Sequence, residues 1–337
     1  MVEFDALRDR VTALVAEWRG GVRVAELSAL IGGRSSLTYL VSLEAEADQP
    51  RPIVVKMAPP GLPPTRNRDV LRQARVQHTM SRSGRAPVAR VLFTDDGEPP
   101  EIPPLYAMEF IDGEAFEPLL DQCDELPAPA EVRGRQLAAA RILGRLHSLD
   151  PVDAGLQDEP EVTLVDEVAR WARIFETVSD DLRPGYEACA EALLAAIPPS
   201  VPSTVVHGEY RLGNMLARDD TILAVIDWEL WCRGDPRVDL SWFLQYVDAA
   251  EQPSAVRPTP PGTPSPVELV AAYEDELGKK VVDLSWFAAH ARFKMAAITA
   301  ITSKHNRRRE HPDPEQEARV PLIMELIEQA QGLLPAS

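Results

Sequence analysis

Strand-forming and helix-forming stretches are segregated along this chain of 337 residues, and that order decides its fold class. Phe4, Leu7, Val11, Leu14, Val15 and Trp18 recur at helical spacing, so an amphipathic helix opens the chain. Gly20-Gly21 ends it. The period then changes. Val22 to Ile31, Leu37 to Glu44 and Pro52 to Met57 are short β-branched stretches between turn-rich segments. A helix at 67–82 and another short strand at 105–111 follow. After residue 128 the texture is helical, with Val132, Leu137, Ala140, Leu143, Leu146 and Leu149 near period 3.6. Similar patterns cover 161–178, 185–196, 265–277, 283–304 and 316–333. Short strands interrupt them around Val205–Val206 and at 222–227, and the Pro-rich stretch Pro253 to Pro266 reads as a loop. The expected class is α+β. An antiparallel-sheet lobe covers 1–109, a mainly helical lobe covers 110–337, and a link lies near 109–114.

Length agrees with two lobes, since one core rarely serves beyond roughly 250–300 residues. The balance of 35 Lys and Arg against 53 Asp and Glu gives a net charge of -18. Nucleic acid and anionic membranes reward clustered positive charge, so neither is an expected partner. The basic run Arg307-Arg308-Arg309 is followed by Glu310 and reads as a solvated helix end. Cys123, Cys189 and Cys232 form no CxxC pair and no even disulfide set, which suits a reducing cytoplasm. The N-terminus lacks a signal-peptide layout, and no apolar run reaches a membrane span. A monomer or homodimer is expected.

The densest chemistry lies between Val205 and Glu229. His207-Gly208-Glu209-Tyr210-Arg211-Leu212-Gly213-Asn214 is followed by Met215-Leu216, a polar break at Asp219-Asp220-Thr221, and Ile222 to Glu229. The break predicts a hairpin. A turn centred between Asp220 and Thr221 would set Asn214 opposite Asp227, and opposed Cβ atoms lie about 4.5–5.5 Å apart. An amide oxygen and a carboxylate at that separation suit one Mg²⁺ ion. Glu209 precedes Asn214 by the spacing of the kinase catalytic loop, H-R-D-x-x-x-x-N, in which the Asp positions the attacking hydroxyl and the Asn holds metal. His207 reads as orienting the loop. Asp235 and Asp239, in Gly234-Asp235-Pro236 and just beyond, read as ties for the following helix.

This combination resembles the aminoglycoside phosphotransferase and choline kinase superfamily, whose pattern is H-G-D-x-x-x-x-N followed by I-D-W/F-E. Tyr210-Arg211-Leu212, Ile226-Asp227-Trp228-Glu229 and Gly234-Asp235-Pro236 look closer to the kinase-like modules fused to some acyl-CoA dehydrogenases. The likeness spans nearly the whole chain and is strongest over 205–242. It implies a two-lobed, protein-kinase-like fold and ATP-dependent transfer of the γ-phosphate to a hydroxyl of a small molecule. Glu209, Asn214, Asp227 and Arg211 would be the catalytic set, with Asn214 and Asp227 on Mg²⁺. Arg211 would hold an anionic acceptor or the transferring phosphate, or else form a salt bridge.

The N-terminal part carries matching nucleotide-binding signals. Gly32-Gly33-Arg34-Ser35-Ser36 connects two expected strands, as a phosphate-covering loop must. Glycines let the backbone approach phosphates, and N–H groups with the Ser35 and Ser36 hydroxyls donate to them. Lys56 lies inside the apolar strand Ile53 to Met57, where a lysine is costly unless an anion meets it. The resemblance assigns it to the ATP α- and β-phosphates. Met108, Glu109 and Ile111 would form the interlobe hinge that reads adenine through backbone groups.

Two departures stand out. Glu209 replaces the usual Asp, and the extra methylene moves the carboxylate by roughly 1 Å, a misplacement that can cost about a hundredfold in rate. Retained activity is expected if the loop backbone retreats to fit. Gln73 falls where kinases place the glutamate that pairs with the strand lysine, and it offers one hydrogen bond but no ion pair. These two residues also favour the rival reading, a pseudokinase acting as a nucleotide- or partner-binding module. Lys56, Asn214 and Asp227 oppose it. Zinc deamination is excluded because no cysteine has the P-C-x-x-C context, and Walker A, G-x-G-x-x-G and G-x-S-x-G are absent. The acyl-CoA dehydrogenase likeness favours a hydroxyacyl or other metabolic alcohol as acceptor, with an aminoglycoside-like acceptor as the alternative. Loop 253–266 and helix 283–304 are expected to line its site, with Trp286, His290 and Lys294 on one helix face.

Overall fold

The computed structural model describes residues 4–30, 36–46, 50–122 and 126–335. The chain divides into two compact units. The first runs to Glu114 and also takes in Met215–Arg218 and Ile222–Trp231; the second holds the rest.

The first unit is built on α1 (Phe4–Trp18), β1 (Val22–Leu30), β2 (Leu37–Ala45), β3 (Ile53–Met57), α2 (Val70–Ser83), β4 (Val91–Asp95) and β5 (Leu105–Glu109). The strands form one antiparallel sheet in the order β1-β2-β3-β5-β4. One face is covered by α1, whose Leu7, Val11 and Val15 pack with Val41, Val55 and Leu105. Each such side chain contributes roughly 1.5–3 kcal/mol when fully buried. A second cluster joins Val70 and Ala74 of α2 to Tyr106 of β5. The α2 helix starts at Asp69, whose carboxylate accepts from the Arg72 N–H, and stops at Gly84 with φ 65.

The second unit contains α3 (Pro129–His147), β6 (Glu161–Val162), α4 (Leu164–Phe175), α5 (Tyr186–Ala195) and β7 (Thr204–Val206). The hairpin β8 (Met215–Arg218) and β9 (Thr221–Val225), both strands of which belong to the first unit apart from Thr221, comes next in the chain; the second unit resumes with β10 (Cys232–Gly234), α6 (Arg237–Leu244), α7 (Pro266–Leu277), α8 (Leu284–Asn306), α9 (Pro314–Glu317) and α10 (Leu322–Gly332). Strands β6, β10 and β7 make a small sheet in that order. Helices α4, α5, α6, α8 and α10 share one core that includes Phe175, Trp242, Phe293 and Leu326. Gly144 lets α3 meet α7 closely, since a Cβ there would lie 2.4 Å from the Tyr273 carbonyl oxygen.

Most expected helices are present within a few residues of their expected ends. The last is not continuous. The 316–333 pattern is divided into α9 and α10, and Pro321 sits at the α10 N-cap. The strand expected at 105–111 stops at Glu109. Strands β4, β6 and β10 are additions. All are short, and short apolar runs carry little periodicity.

Candidate active site

Lys56 lies near the end of β3, paired in register with Thr38 of β2 and Tyr106 of β5. It is 9% exposed. Its Nζ meets Asp227 Oδ1 at 3.3 Å. Asp227 stands between β9 and a 3₁₀ turn, Trp228–Leu230, with φ 64 and ψ 57. That left-handed conformation costs an L-residue about 1–2 kcal/mol, less for Asp, whose short polar side chain bonds locally. Its surroundings hold it there. The Trp228 indole donates to the Val225 carbonyl at 3.0 Å, and the Trp231 indole to that of Arg72 at 3.2 Å. The Arg72 guanidinium donates back to the Trp231 carbonyl at 2.7 Å and covers the Trp231 ring at 4.2 Å. Helix α2 thus grips the segment that follows Asp227.

Gln73 does not pair with Lys56. Its amide nitrogen donates to the Asn67 carbonyl at 3.0 Å, and its Oε1 is buried with no hydrogen bond. The carboxylate beside the strand lysine is Asp227. Burial and the Asp227 charge together raise the Tyr106 phenol pKa, and its hydroxyl donates to Gln77 Oε1 at 2.8 Å.

Met108 and Glu109 are the last residues of β5, opposite Val54 and Ile53 of β3. The Glu109 N–H donates to the Arg90 carbonyl at 3.0 Å. Its carboxylate takes Arg90 at 2.7 Å on the surface, where such pairs add little stability. Ile111 follows, its carbonyl accepting from Gly113 N–H at 3.1 Å. Ile111 lines a cleft of about 570 Å³ with Arg51, Pro52, Phe110, Arg218 and Leu223. Gly32, Gly33 and Ser35 lie outside the described residues. Ser36 precedes β2, 4% exposed, with its Oγ buried and without a hydrogen bond.

The second unit brings together Glu209, Arg211 and Asn214. After β7 the chain enters His207 and Gly208, the latter with φ 86. Asp239 of α6, fully buried, accepts from the His207 N–H at 2.5 Å and the Gly208 N–H at 2.8 Å. His147 Nε2 lies 3.4 Å from the same carboxylate. Burial raises the pKa of Asp239, but the His147 hydrogen bond and the charges of His147 and His207 hold it below the ordinary range. Asp235 ties the start of α6, accepting from the Arg237 N–H at 3.0 Å. Asp239 does not share that role. Its sequence position beside a helix start gives no sign that it serves peptide groups 31 and 32 residues earlier.

His207 Nδ1 accepts from the Glu209 N–H at 3.2 Å, and the Tyr210 hydroxyl reaches the Ala139 carbonyl at 2.7 Å. Asn214 ends a 3₁₀ turn that starts at Leu212. Its Nδ2 donates to the Glu209 carbonyl at 2.8 Å, so Oδ1 is the end left for a ligand. The hairpin does not place it as its polar break suggests. The turn residues are Asp219 and Asp220, and the strands stop at Met215 and Val225. Asn214 and Asp227 both fall outside the ladder, so the cross-strand argument for their pairing does not hold.

Arg211 pairs with Glu117, Nη1 to Oε2 at 3.4 Å, and covers the Tyr246 ring at 5.6 Å. Glu117 also accepts from the Gly213 N–H at 3.0 Å. A Cβ on Gly213 would lie 2.0 Å from Arg211 Nη1, so a larger residue there would push the guanidinium aside. Nothing in the local sequence singles out Glu117, which is 2% exposed and lies 94 residues before Arg211.

Burial pushes the Glu117 carboxyl up to about 7, while Arg211 and the Gly213 N–H pull it down. A raised folded pKa favours the protonated form, so this site's stabilisation is full below about pH 4.5 and is lost as pH rises through about 7. A shift of this size corresponds to about 3 kcal/mol. Urea denaturation at pH 5 and pH 8 should therefore show a smaller loss of stability across that interval in Glu117→Gln than in wild type, by about that amount. Identical pH dependence in the two proteins would contradict this assignment.

A family model described as the phosphotransferase enzyme family matches residues 26–259. The chain belongs to the phosphotransferase enzyme family. Among solved structures, this family member resembles a putative aminoglycoside phosphotransferase from Ralstonia eutropha, with TM-score 0.76 and 21% identity over 96% of this chain and 97% of that one. It also resembles a spectinomycin phosphotransferase in complex with ADP and spectinomycin, with TM-score 0.62 and 12% identity over 97% and 98%. The fold is therefore the two-lobed kinase-like fold that the motifs imply. Acyl-CoA dehydrogenase family member 10 of Mus musculus is 26% identical over 285 residues, which is 81% of this chain but 26% of that protein. This phosphotransferase-family chain thus corresponds to about a quarter of that relative's length. No helix among the described residues is long and apolar enough to cross a membrane.

Proposed function

We propose that the chain binds Mg-ATP and transfers its γ-phosphate to a hydroxyl of a small molecule. The observation that carries this is the buried Lys56 held against Asp227 in a phosphotransferase-family fold. An ammonium in a sheet is retained at such cost when an anion meets it, and ATP α- and β-phosphates supply one. The ADP held by the related spectinomycin phosphotransferase supports a nucleotide in this fold. In this reading Met108, Glu109 and Ile111 offer backbone groups to adenine. Gly32, Gly33, Ser35 and Ser36 cover the phosphates.

Asn214 and Asp227 offer hard oxygen donors of the kind Mg²⁺ prefers, and the amide oxygen of Asn214 is left open by its own hydrogen bonding. A magnesium ion bound there would neutralise charge on the phosphates. Glu209 orients the acceptor hydroxyl and takes its proton as the bond from its oxygen to the γ-phosphorus forms and the bond from that phosphorus to the departing ADP oxygen breaks. Transfer is largely dissociative, so placing that hydroxyl matters more than the basicity of the carboxylate. Arg211, already fixed by Glu117, is set to steady an anionic acceptor or the phosphoryl group in flight. Loop 253–266 and α8 line the acceptor site, and a hydroxyacyl or other metabolic alcohol is favoured over an aminoglycoside-like acceptor.

The second reading, a nucleotide-binding pseudokinase, is favoured by one observation: Gln73 turns to Asn67 and leaves Lys56 without the usual helix partner. A screen of ATP consumption across hydroxyacyl-CoAs, choline-like alcohols, macrolides and aminoglycosides separates the two, with Mg-ATP binding measured alongside. Acceptor-stimulated ADP release, largest with a hydroxyacyl or other metabolic alcohol, is expected. Binding with no acceptor-stimulated release would favour the pseudokinase, and absence of Mg-ATP binding would end both readings.

A further inference from the structure

Lys294 lies in the middle of α8, 2% exposed. A buried ammonium is expensive unless its charge and donors are matched. Among the described residues no carboxylate comes within ion-pair distance of it; instead it sits in an aromatic cage. Its Nζ is 3.7 Å from the ring centre of Trp242 on α6 and 5.3 Å from that of Trp171 on α4. It makes one hydrogen bond, to the carbonyl oxygen of Gly208.

That carbonyl belongs to the peptide leading into Glu209. Asp239 already holds the N–H groups on this stretch, at His207 and Gly208. Lys294 supplies the opposite restraint, a donor on the acceptor side of the same turn. The charged groups facing it come from every neighbouring element: Glu167 and Arg170 of α4, Asp239 of α6, and Glu209 of the loop, with His290 on its own helix. Burial lowers the Lys294 pKa to about 8, while Glu209, Glu167 and Asp239 raise it and Arg170 lowers it further. Burial also keeps His290 neutral, at about 4. The cage is thus charged near neutral pH. Its charge comes from the lysine, and aromatic faces attract such a cation, Trp most strongly.

We propose that Lys294 is a positioning residue: caged by Trp171 and Trp242, it anchors the Gly208 carbonyl and so fixes where the Glu209 carboxylate stands. This rests on the reading of 207–214 as the catalytic loop. A glutamate at that position needs its backbone set back relative to an aspartate, and a restraint on the preceding peptide provides the fixed point.

The test uses the full chain and reads the loop without requiring an acceptor. Hydrogen–deuterium exchange is followed for peptides covering 205–214 in wild type, Lys294→Met and Lys294→Arg. Mg-ATP affinity and ADP release with water as acceptor are measured on the same samples. Lys294→Met keeps the length but removes the donor and charge. It should speed exchange in the loop at least tenfold, leave exchange in the first unit and Mg-ATP affinity within twofold, and lower the rate of ADP release at least tenfold. Lys294→Arg, which keeps a donor and a caged cation, should recover most of the protection. Should Lys294→Met fail to fold, Trp242→Phe weakens the cage without removing the lysine and should shift loop exchange in the same direction by about threefold. Unchanged loop exchange in Lys294→Met, or in Trp242→Phe where that variant decides, would overturn the proposal. So would a general loss of protection in both units. Loss of protection confined to the loop in a protein that binds no Mg-ATP would instead count against the proposed function and leave the positioning role standing.

Discussion

Asp227→Ala is expected to lower turnover at least a thousandfold and to weaken Mg-ATP binding at least tenfold. Two losses combine. The carboxylate is the proposed ligand of the ion that neutralises the phosphates, and removing one well-placed electrostatic contact to a transition state typically costs about a hundredfold to a thousandfold. It is also the partner of Lys56, at 3.3 Å. Without it a nearly buried ammonium is left uncompensated, and the lysine no longer stays in place against the phosphates. The substitution also adds strain to a left-handed backbone, since Ala tolerates φ 64 less well than Asp does. Asp227→Asn keeps the shape and separates charge from fold. It should retain the wild-type melting temperature while losing most of the turnover. Near-wild-type steady-state rates in Asp227→Asn would show that the carboxylate charge has no part in the reaction.

Glu209 carries the second large effect. Glu209→Ala should lower the rate of transfer by about a hundredfold to a thousandfold, while Mg-ATP affinity stays within twofold. The informative comparison is Glu209→Asp. The loop backbone is held by Asp239, by His207 through the Glu209 N–H, by Asn214 through the Glu209 carbonyl, and by the Tyr210 hydroxyl, which donates to the Ala139 carbonyl of α3. A backbone so fixed cannot advance to carry a shorter side chain, so the aspartate carboxylate should fall roughly 1 Å short and lose about tenfold to a hundredfold in rate. A degenerate glutamate in a pseudokinase gives the opposite result, a gain on restoring Asp. Single-turnover rates with saturating Mg-ATP distinguish these outcomes.

How much of this was legible beforehand follows from the range over which each signal acts. The first lobe was readable because β-branched runs and an amphipathic helix carry their period locally, and because Lys56 is anomalous inside an apolar strand. Glu209, Arg211 and Asn214 were readable because one short loop holds them, and a local spacing survives any change in the rest of the fold. The partners of that loop were not. Glu117, Asp239 and Lys294 reach it from 94, 31 and 86 residues away. Each sits in a segment whose own pattern is satisfied by a mundane role. Lys294 was readable as part of a helix face with Trp286 and His290, and those two do stack, 5.5 Å apart. The face is buried, and its use as a clamp depends on Trp171 and Trp242 arriving from two other helices. The hairpin shows the limit most clearly. Its existence followed from the polar break, but a turn placed one residue earlier changes the register, and register decides which side chains are opposed.

The most direct test of the central claim is calorimetric titration of ATP into the full chain with and without Mg²⁺, repeated on Lys56→Ala and Asp227→Ala. Saturable binding that strengthens at least tenfold with Mg²⁺ in wild type, and weakens at least tenfold in both variants, is the predicted result. Binding with the same affinity in all three proteins, or none in wild type, would contradict it.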